Sequence, residues 1–192
     1  MGPHPDNTDP SSDSVILHPI PPVFDKTSRV LVLGSFPSVR SRAAGFFYGH
    51  PQNRFWRVLA ALYGETVPQT TADKRGMLLR HHVAVWDVIA SCAIDGSADS
   101  SIRQVTPNDL SMILAAAPIR QIFTNGKTAD AYYRRFQQQN TGRTAVCLPS
   151  TSPANAAWSL ERLIDAWKIL RDAECDFFEA AARPPERKQN GF

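Results

Sequence analysis

The sequence predicts an α/β fold, a three-layer sandwich around a central, mainly parallel sheet of four strands. Short β-branched and leucine-rich runs that suit buried strands alternate with amphipathic stretches of helical period. The 192-residue chain is also 43% hydrophobic and only 20% charged, which is enough apolar side chain for one sizeable core.

Each element has its own reason. Arg29–Gly34 (RVLVLG) is a continuous apolar run stopped by glycine, as expected of a strand covered on both faces. Asn53–Tyr63 carries Phe55, Trp56, Leu59 and Tyr63 at helical spacing. Val83–Ile89 reads as the second strand, or as a strand leading into a turn. In Thr106-Pro107-Asn108-Asp109 the threonine can cap a helix, the proline suits the first turn and the acid suits its positive end. Arg120–Thr124 is the third strand. Thr128–Gln138 is a helix with Ala129, Tyr132, Tyr133 and Phe136 turned inward. Thr144–Leu148 is the fourth strand, and Leu160, Leu163, Ile164, Trp167 and Leu170 then form one stripe on a long helix.

Six of the 15 prolines fall within residues 1–22, among Ser, Asp and Asn. Residues 1–23 therefore read as a flexible leader, 24–182 as the folded domain and 183–192 (RPPERKQNGF) as a flexible tail. No run approaches the length of a membrane span, and the start has neither the basic nor the apolar part of a secretory signal. Cys92, Cys147 and Cys175 lie far apart, which argues against a disulfide framework or a zinc site. The expected compartment is the cytoplasm.

The net charge of +3 hides an asymmetry. Residues 1–25 hold four acids and no Lys or Arg, so the rest carries 21 basic against 14 acidic side chains. Arg29–Arg57 has five arginines and no acid. That patch could meet phosphates or could be an ordinary solvated surface.

Parallel sheets bind ligands beyond the carboxyl ends of their strands, which directs attention to residues 34–53, 87–102, 125–128 and 149–155. Asn125-Gly126-Lys127-Thr128 looks like half a phosphate loop, but position 121 is Gln where the motif needs Gly. A tight turn with Thr128 capping the next helix is the simpler reading. Ser35 and Ser38 raise a serine hydrolase, yet Gly34-Ser35-Phe36-Pro37-Ser38 is not a nucleophile elbow. His50 or His82 with Asp87 could complete a triad, but no spacing demands it. His81-His82 has no partner at ligand spacing, so no metal or other cofactor is expected. In Gly34–Trp56 an aromatic cluster (Phe46, Phe47, Tyr48) precedes His50, Gln52 and Asn53. Aromatic faces beside amides suit a flat hydrogen-bonding ligand, although such clusters more often serve the core.

Gly34-x-x-Pro37 followed by Gly45-Phe-Phe-Tyr-Gly-His-Pro-Gln-Asn-Arg-Phe-Trp56 resembles the first motif of the uracil-DNA glycosylase superfamily. The Gly-Ser-Phe-Pro-Ser opening is closest to its hypoxanthine-DNA glycosylase (DNA-deoxyinosine glycosylase) branch. Leu148-Pro149-Ser150-Thr151-Ser152-Pro153 is similar to the second motif, a loop that enters the minor groove. Gly96-Ser97-Ala98-Asp99 and Thr124-Asn125-Gly126 also fit that branch. The resemblance implies a monofunctional base-excision repair enzyme that hydrolyses the N-glycosidic bond of an extruded deaminated base, preferentially hypoxanthine. Double-stranded DNA would be its partner and the monomer its working form.

The same resemblance assigns roles to residues. Phe36 stands where the mismatch-specific uracil and thymine enzymes carry a water-orienting Asn, so Asn53 becomes the catalytic amide. Ser35, Phe36 and Tyr48 would bind the base, with Tyr48 stacking on it. Ser150, Thr151 and Ser152 would pinch the duplex, while Arg40, Arg42 and Arg54 would hold phosphates. The alternatives are a uracil or mismatched-thymine glycosylase, a non-catalytic DNA-binding protein of this fold and, more distantly, an acyl hydrolase.

Overall fold

A computed structural model describes residues 15–95 and 99–182. Its centre is a four-stranded parallel sheet of β2 (Val30–Gly34), β3 (Val83–Asp87), β6 (Gln121–Asn125) and β7 (Ala145–Leu148), in the order β3-β2-β6-β7. These are the four predicted strands; β2, β6 and β7 lie within a residue of their expected bounds, and β3 stops two residues short. Val30, Leu31, Val32 and Leu33 are fully buried, because a central strand with helices on both faces leaves no side free for polar residues.

Parallel strands cannot be joined by hairpins, so helical crossovers connect them. Between β2 and β3 run α1 (Val39–Ala44), α2 (Phe55–Tyr63) and α3 (Thr71–Arg80). Helix α3 starts on a capping box: Thr70 Oγ1 accepts from Asp73 N–H, and the Asp73 carboxylate accepts from Thr70 N–H. Between β6 and β7 run α5 (Lys127–Phe136) and the short α6 (Gln138–Thr141). The last helix, α7 (Leu160–Ala182), buries Leu163, Trp167 and Leu170 and packs on α2, where Phe55 meets Trp167 edge to face at 5.8 Å. None of the described helices is long and apolar enough to cross a membrane.

Three features depart from the sequence reading. The folded part begins earlier than Phe24: β1 (Val15–Leu17) pairs antiparallel with β4 (Ile89–Ala93), Ile20 and Val23 are buried, and Val23 bridges Val85 of β3. Residues 1–14 of the expected leader and the tail 183–192 lie outside the described residues, as do Gly96, Ser97 and Ala98. Secondly, Val83–Ile89 is not one strand. The chain leaves the main sheet at Asp87 and enters a second, three-stranded antiparallel sheet in the order β1-β4-β5. Thirdly, Thr106 and Pro107 do not start a helix but close β5 (Arg103–Pro107). Asn108 Nδ2 donates to the carbonyls of Asp87 and Ile89, which holds this segment against the β3–β4 junction. Helix α4 (Ser111–Ala116) starts only beyond Leu110.

Ile20 separates a leader from a structural segment. Replacing it with Ala should lower the unfolding free energy by about 2–5 kcal/mol, as for other buried aliphatic truncations. Urea denaturation measures this, and no change would mean that residues 15–23 are dispensable.

Candidate base-binding site

The strand register builds the site. Gly34 pairs with Asp87, Leu33 with Thr124 and Asn125 with Leu148, so all four parallel strands finish at one edge. A cavity of about 260 Å³ opens there, on the small-ligand scale. Its walls come from Gly34–Ser38 and Ser41, from Phe47, Tyr48 and Asn53, and from Asp87, Ile94, Asn125 and Ser150–Ser152. Segments far apart in sequence thus converge where the topology directed attention.

Asp87 ends β3 and is 4% exposed. Its Oδ2 lies 2.8 Å from His18 Nε2, and His18 Nδ1 in turn accepts from Ile20 N–H at 3.2 Å. A ring nitrogen that accepts from a backbone N–H carries no proton, so His18 is the neutral tautomer and donates Nε2–H to the carboxylate. Both ring nitrogens are occupied, so His18 cannot serve Ser35 or Ser38 as a general base. Asp87 is thus turned to His18, and not to His50 or His82, the histidines that the triad reading offered it. Gly34 makes room for the carboxylate: a Cβ there would lie 2.1 Å from Asp87 Oδ1.

Tyr48 sits at φ 53°, a left-handed conformation that bulky residues adopt only when packing over-determines it. One ring face stacks on Phe55 at 3.8 Å. Its hydroxyl is buried without a hydrogen bond of normal geometry. Burial and the negative Asp87 push the phenol far above its ordinary range, with Asn125 opposing weakly, so Tyr48 stays protonated at working pH. Phe36 is buried edge-on to His18 at 5.9 Å, and the Arg42 guanidinium lies 5.6 Å over its ring. Asn53 Oδ1 accepts from Phe55 N–H at 3.0 Å, which satisfies an orphan donor of α2 and fixes the amide at the cavity wall.

The loop after β7 is tied down from three sides. Asn125 Nδ2 donates to Thr151 Oγ1, and Thr151 N–H donates back to Asn125 Oδ1, both at 2.9 Å. Trp167 Nε1 donates to the Pro149 carbonyl. Arg54 donates to the carbonyls of Thr151, Ser152, Asn155 and Trp158. Beneath the loop, Gly126 at φ 99° lies so close that a Cβ would meet Ser150 Cβ at 2.8 Å. Thr128 caps nothing, since the N-terminus of α5 has Gly126 at the cap and no side-chain capping bond.

The structure thus gathers Ser35, Phe36, Tyr48, Asn53, Ser150 and Ser152 around one cavity. Arg42 lies against its lining residues Phe36 and Pro37, whereas Arg40 is exposed on α1 and does not line it. Two expected DNA ligands are corrected. Arg54 spends its donors on backbone carbonyls and is a structural tie, not a phosphate contact. Thr151 is wholly buried with its hydroxyl engaged by Asn125. One residue was missed: His18, placed in the leader by its proline neighbours, though Val15-Ile16-Leu17, Ile20 and Val23 around it are strand-like apolar residues.

Fold and site together describe an α/β protein with a cavity of aromatic, amide and hydroxyl side chains at the carboxyl edge of a parallel sheet. Residues 21–174 match the uracil DNA glycosylase superfamily, and the chain belongs to that superfamily. It is accordingly a DNA glycosylase, a hydrolase of N-glycosyl bonds. A hypoxanthine DNA glycosylase of Methanosarcina acetivorans is 34% identical over 144 residues, covering 74% of this chain and 90% of that protein. A protein of the same description from Methanosarcina barkeri is 33% identical over 114 residues, or 58% and 72% of the two chains. The solution NMR structure of an M. acetivorans protein, described as a candidate uracil DNA glycosylase, superposes with a TM-score of 0.71 at 31% identity. That match covers 84% of this chain and 99% of the other.

Arg54→Ala strands four carbonyls. It should destabilise the protein by about 2–4 kcal/mol, because bonds from a charged donor are among the stronger ones. Hydrogen exchange should quicken at residues 150–158 first. Uniform loss of protection would instead show that Arg54 supports the whole domain and not this loop.

Proposed function

We propose that the protein excises hypoxanthine from deoxyinosine in double-stranded DNA, as a monomer and without cleaving the strand. The cavity carries this reading: it combines aromatic walls, a fixed amide and a buried hydrogen-bonding floor at the mouth of a sheet whose rim is basic. The named relatives support the choice of hypoxanthine, and Phe36 supports it over uracil, because the mismatch-specific route needs an Asn at that position.

The residues divide the work by depth. Arg40 and Arg42 hold phosphates at the rim without reading sequence. Arg42 gives one N–H to the Pro37 carbonyl and keeps other donors for DNA. Ser150 and Ser152, on a loop fixed by Arg54 and Asn125, pinch the duplex while the lesion rotates out. That extrusion costs a few kcal/mol and is cheapest for a weakly paired base. Tyr48 and Phe36 flank the base, and the Ser35 amide bonds its edge. As the glycosidic bond breaks, positive charge grows on the sugar and negative charge on the departing base. Fixed amide dipoles stabilise that separation, and Asn53 aims the water. Among the described residues no lysine lines the cavity, which supports hydrolysis without a covalent lyase step. Cys92 and Cys147 are not joined in a disulfide, which supports a reducing cytoplasm.

The test uses end-labelled duplexes with one deoxyinosine, one deoxyuridine or no lesion, incubated without added metal and then treated with alkali. Breaks are expected at deoxyinosine, falling about 100-fold or more in Asn53→Ala, the scale of losing one positioned catalytic amide. Breaks mainly at deoxyuridine would move the protein to the uracil branch. Tight DNA binding with no breaks would make it a non-catalytic member of the fold.

A further inference from the structure

We propose that Asp87 reads the base, and that it does so by accepting the ring N–H of a lactam edge, with His18 as the positioning residue that aims the carboxylate. The inference rests on the reading above, that the cavity receives an extruded base.

Depth supports the assignment. Asp87 and Gly34 are buried at the closed end of the cavity, whereas Asn53, Ser150 and Ser152 are half-exposed towards its mouth. A nucleotide tethered to DNA enters base first, so its sugar stays near Asn53 and its far edge reaches the floor. Asp87 and Tyr48 are the titratable side chains among the lining residues, and burial beside Asp87 keeps the Tyr48 phenol protonated and uncharged. The carboxylate is therefore the charged group that the base edge meets.

His18 settles what the carboxylate can recognise. Its Nε2–H occupies Oδ2, which leaves Oδ1 as the carboxylate atom at the cavity wall, pressed against Gly34. An ionised carboxylate only accepts hydrogen bonds. Hypoxanthine offers N1–H beside a carbonyl and fits. Adenine, the base from which it arises by deamination, has a bare lone pair at N1 and turns it against the negative oxygen. The same rule admits the N3–H of uracil and opposes cytosine. Asp87 thus separates deaminated bases from their amino parents, a choice in which ring size plays no part.

The isosteric Asp87→Asn variant makes the inference sharp. His18 Nε2–H still demands an acceptor, so the new amide gives it the oxygen and turns its NH2 towards the base. The floor then donates where it used to accept. Single-turnover excision would be measured on duplexes with deoxyinosine or deoxyadenosine opposite an abasic analogue, which equalises the cost of extrusion. Thermal melting would confirm that each variant folds. The wild type should prefer deoxyinosine strongly, and Asp87→Asn should shrink that preference about 100-fold or more, since a site built around one hydrogen bond discriminates steeply. His18→Ala should shrink it about 10-fold, and His18→Gln, which keeps an N–H donor, should restore most of it.

A folded Asp87→Asn protein with the wild-type ratio would overturn the assignment, even if its rate on both bases fell. His18→Ala and His18→Gln losing rate equally at an unchanged ratio would reduce His18 to a structural role and overturn that half of the proposal. A wild-type protein that cuts neither base would remove the hypoxanthine reading itself, and this inference with it.

Discussion

Parallel pairing of β3, β2 and β6 puts Asp87, Gly34 and Asn125 side by side at one end of the sheet, and each of the three depends on the next. Asp87 can lean over β2 only because position 34 has no Cβ to meet its Oδ1. Asn125 can lock Thr151 only because β6 ends level with β7, at the Asn125–Leu148 pair. A slip of one residue along any of these ladders would send those side chains to the opposite face of the sheet. The floor of the cavity and the anchor of its loop would be lost together. Continuous apolar burial along Val30–Leu33 resists such a slip, so the core and the site are specified by the same strands.

Above that floor, the fold invests in rigidity. Asn53 and Arg54 are adjacent in the chain but serve opposite ends of the site. The first is fixed by capping α2, and the second binds four carbonyls of a loop about a hundred residues away. The amide and the loop after β7 are therefore both tied to the start of α2. Catalysis that relies on placed dipoles and a placed water, and on no covalent intermediate, loses most from small displacements. A planar guanidinium with five donors suits this task, and a lysine in its place could not satisfy the same set of carbonyls.

Sequence reading recovers the parts that depend on local pattern. The four parallel strands, the α2 and α7 stripes and the two motif segments are legible because apolar runs and helical periods are local patterns. What escapes it depends on partners far along the chain. His18 looks like leader because prolines at 19, 21 and 22 flank it, yet its partner is Asp87, 69 residues away. Arg54 counts as surface charge until its carbonyl partners are known. Thr106-Pro107-Asn108-Asp109 satisfies every local rule for a helix start, but Asn108 bonds across to the β3–β4 junction, and tertiary contact decides the matter.

The electrostatic layout also says what the cavity refuses. DNA is polyanionic and α1 carries Arg40 and Arg42, but among the described residues the carboxylate that lines the cavity is the buried Asp87. A free nucleotide entering phosphate first would bring two like charges together in a water-poor space, where repulsion is stronger than in bulk water. A neutral base entering edge first meets no such penalty and gains a bond from a charged acceptor. On the proposed reading charge imposes an orientation: phosphates stay outside and the base alone goes in. Neutral His18 preserves that polarity, because a protonated imidazole would cancel the carboxylate and the floor would lose its preference for an N–H edge.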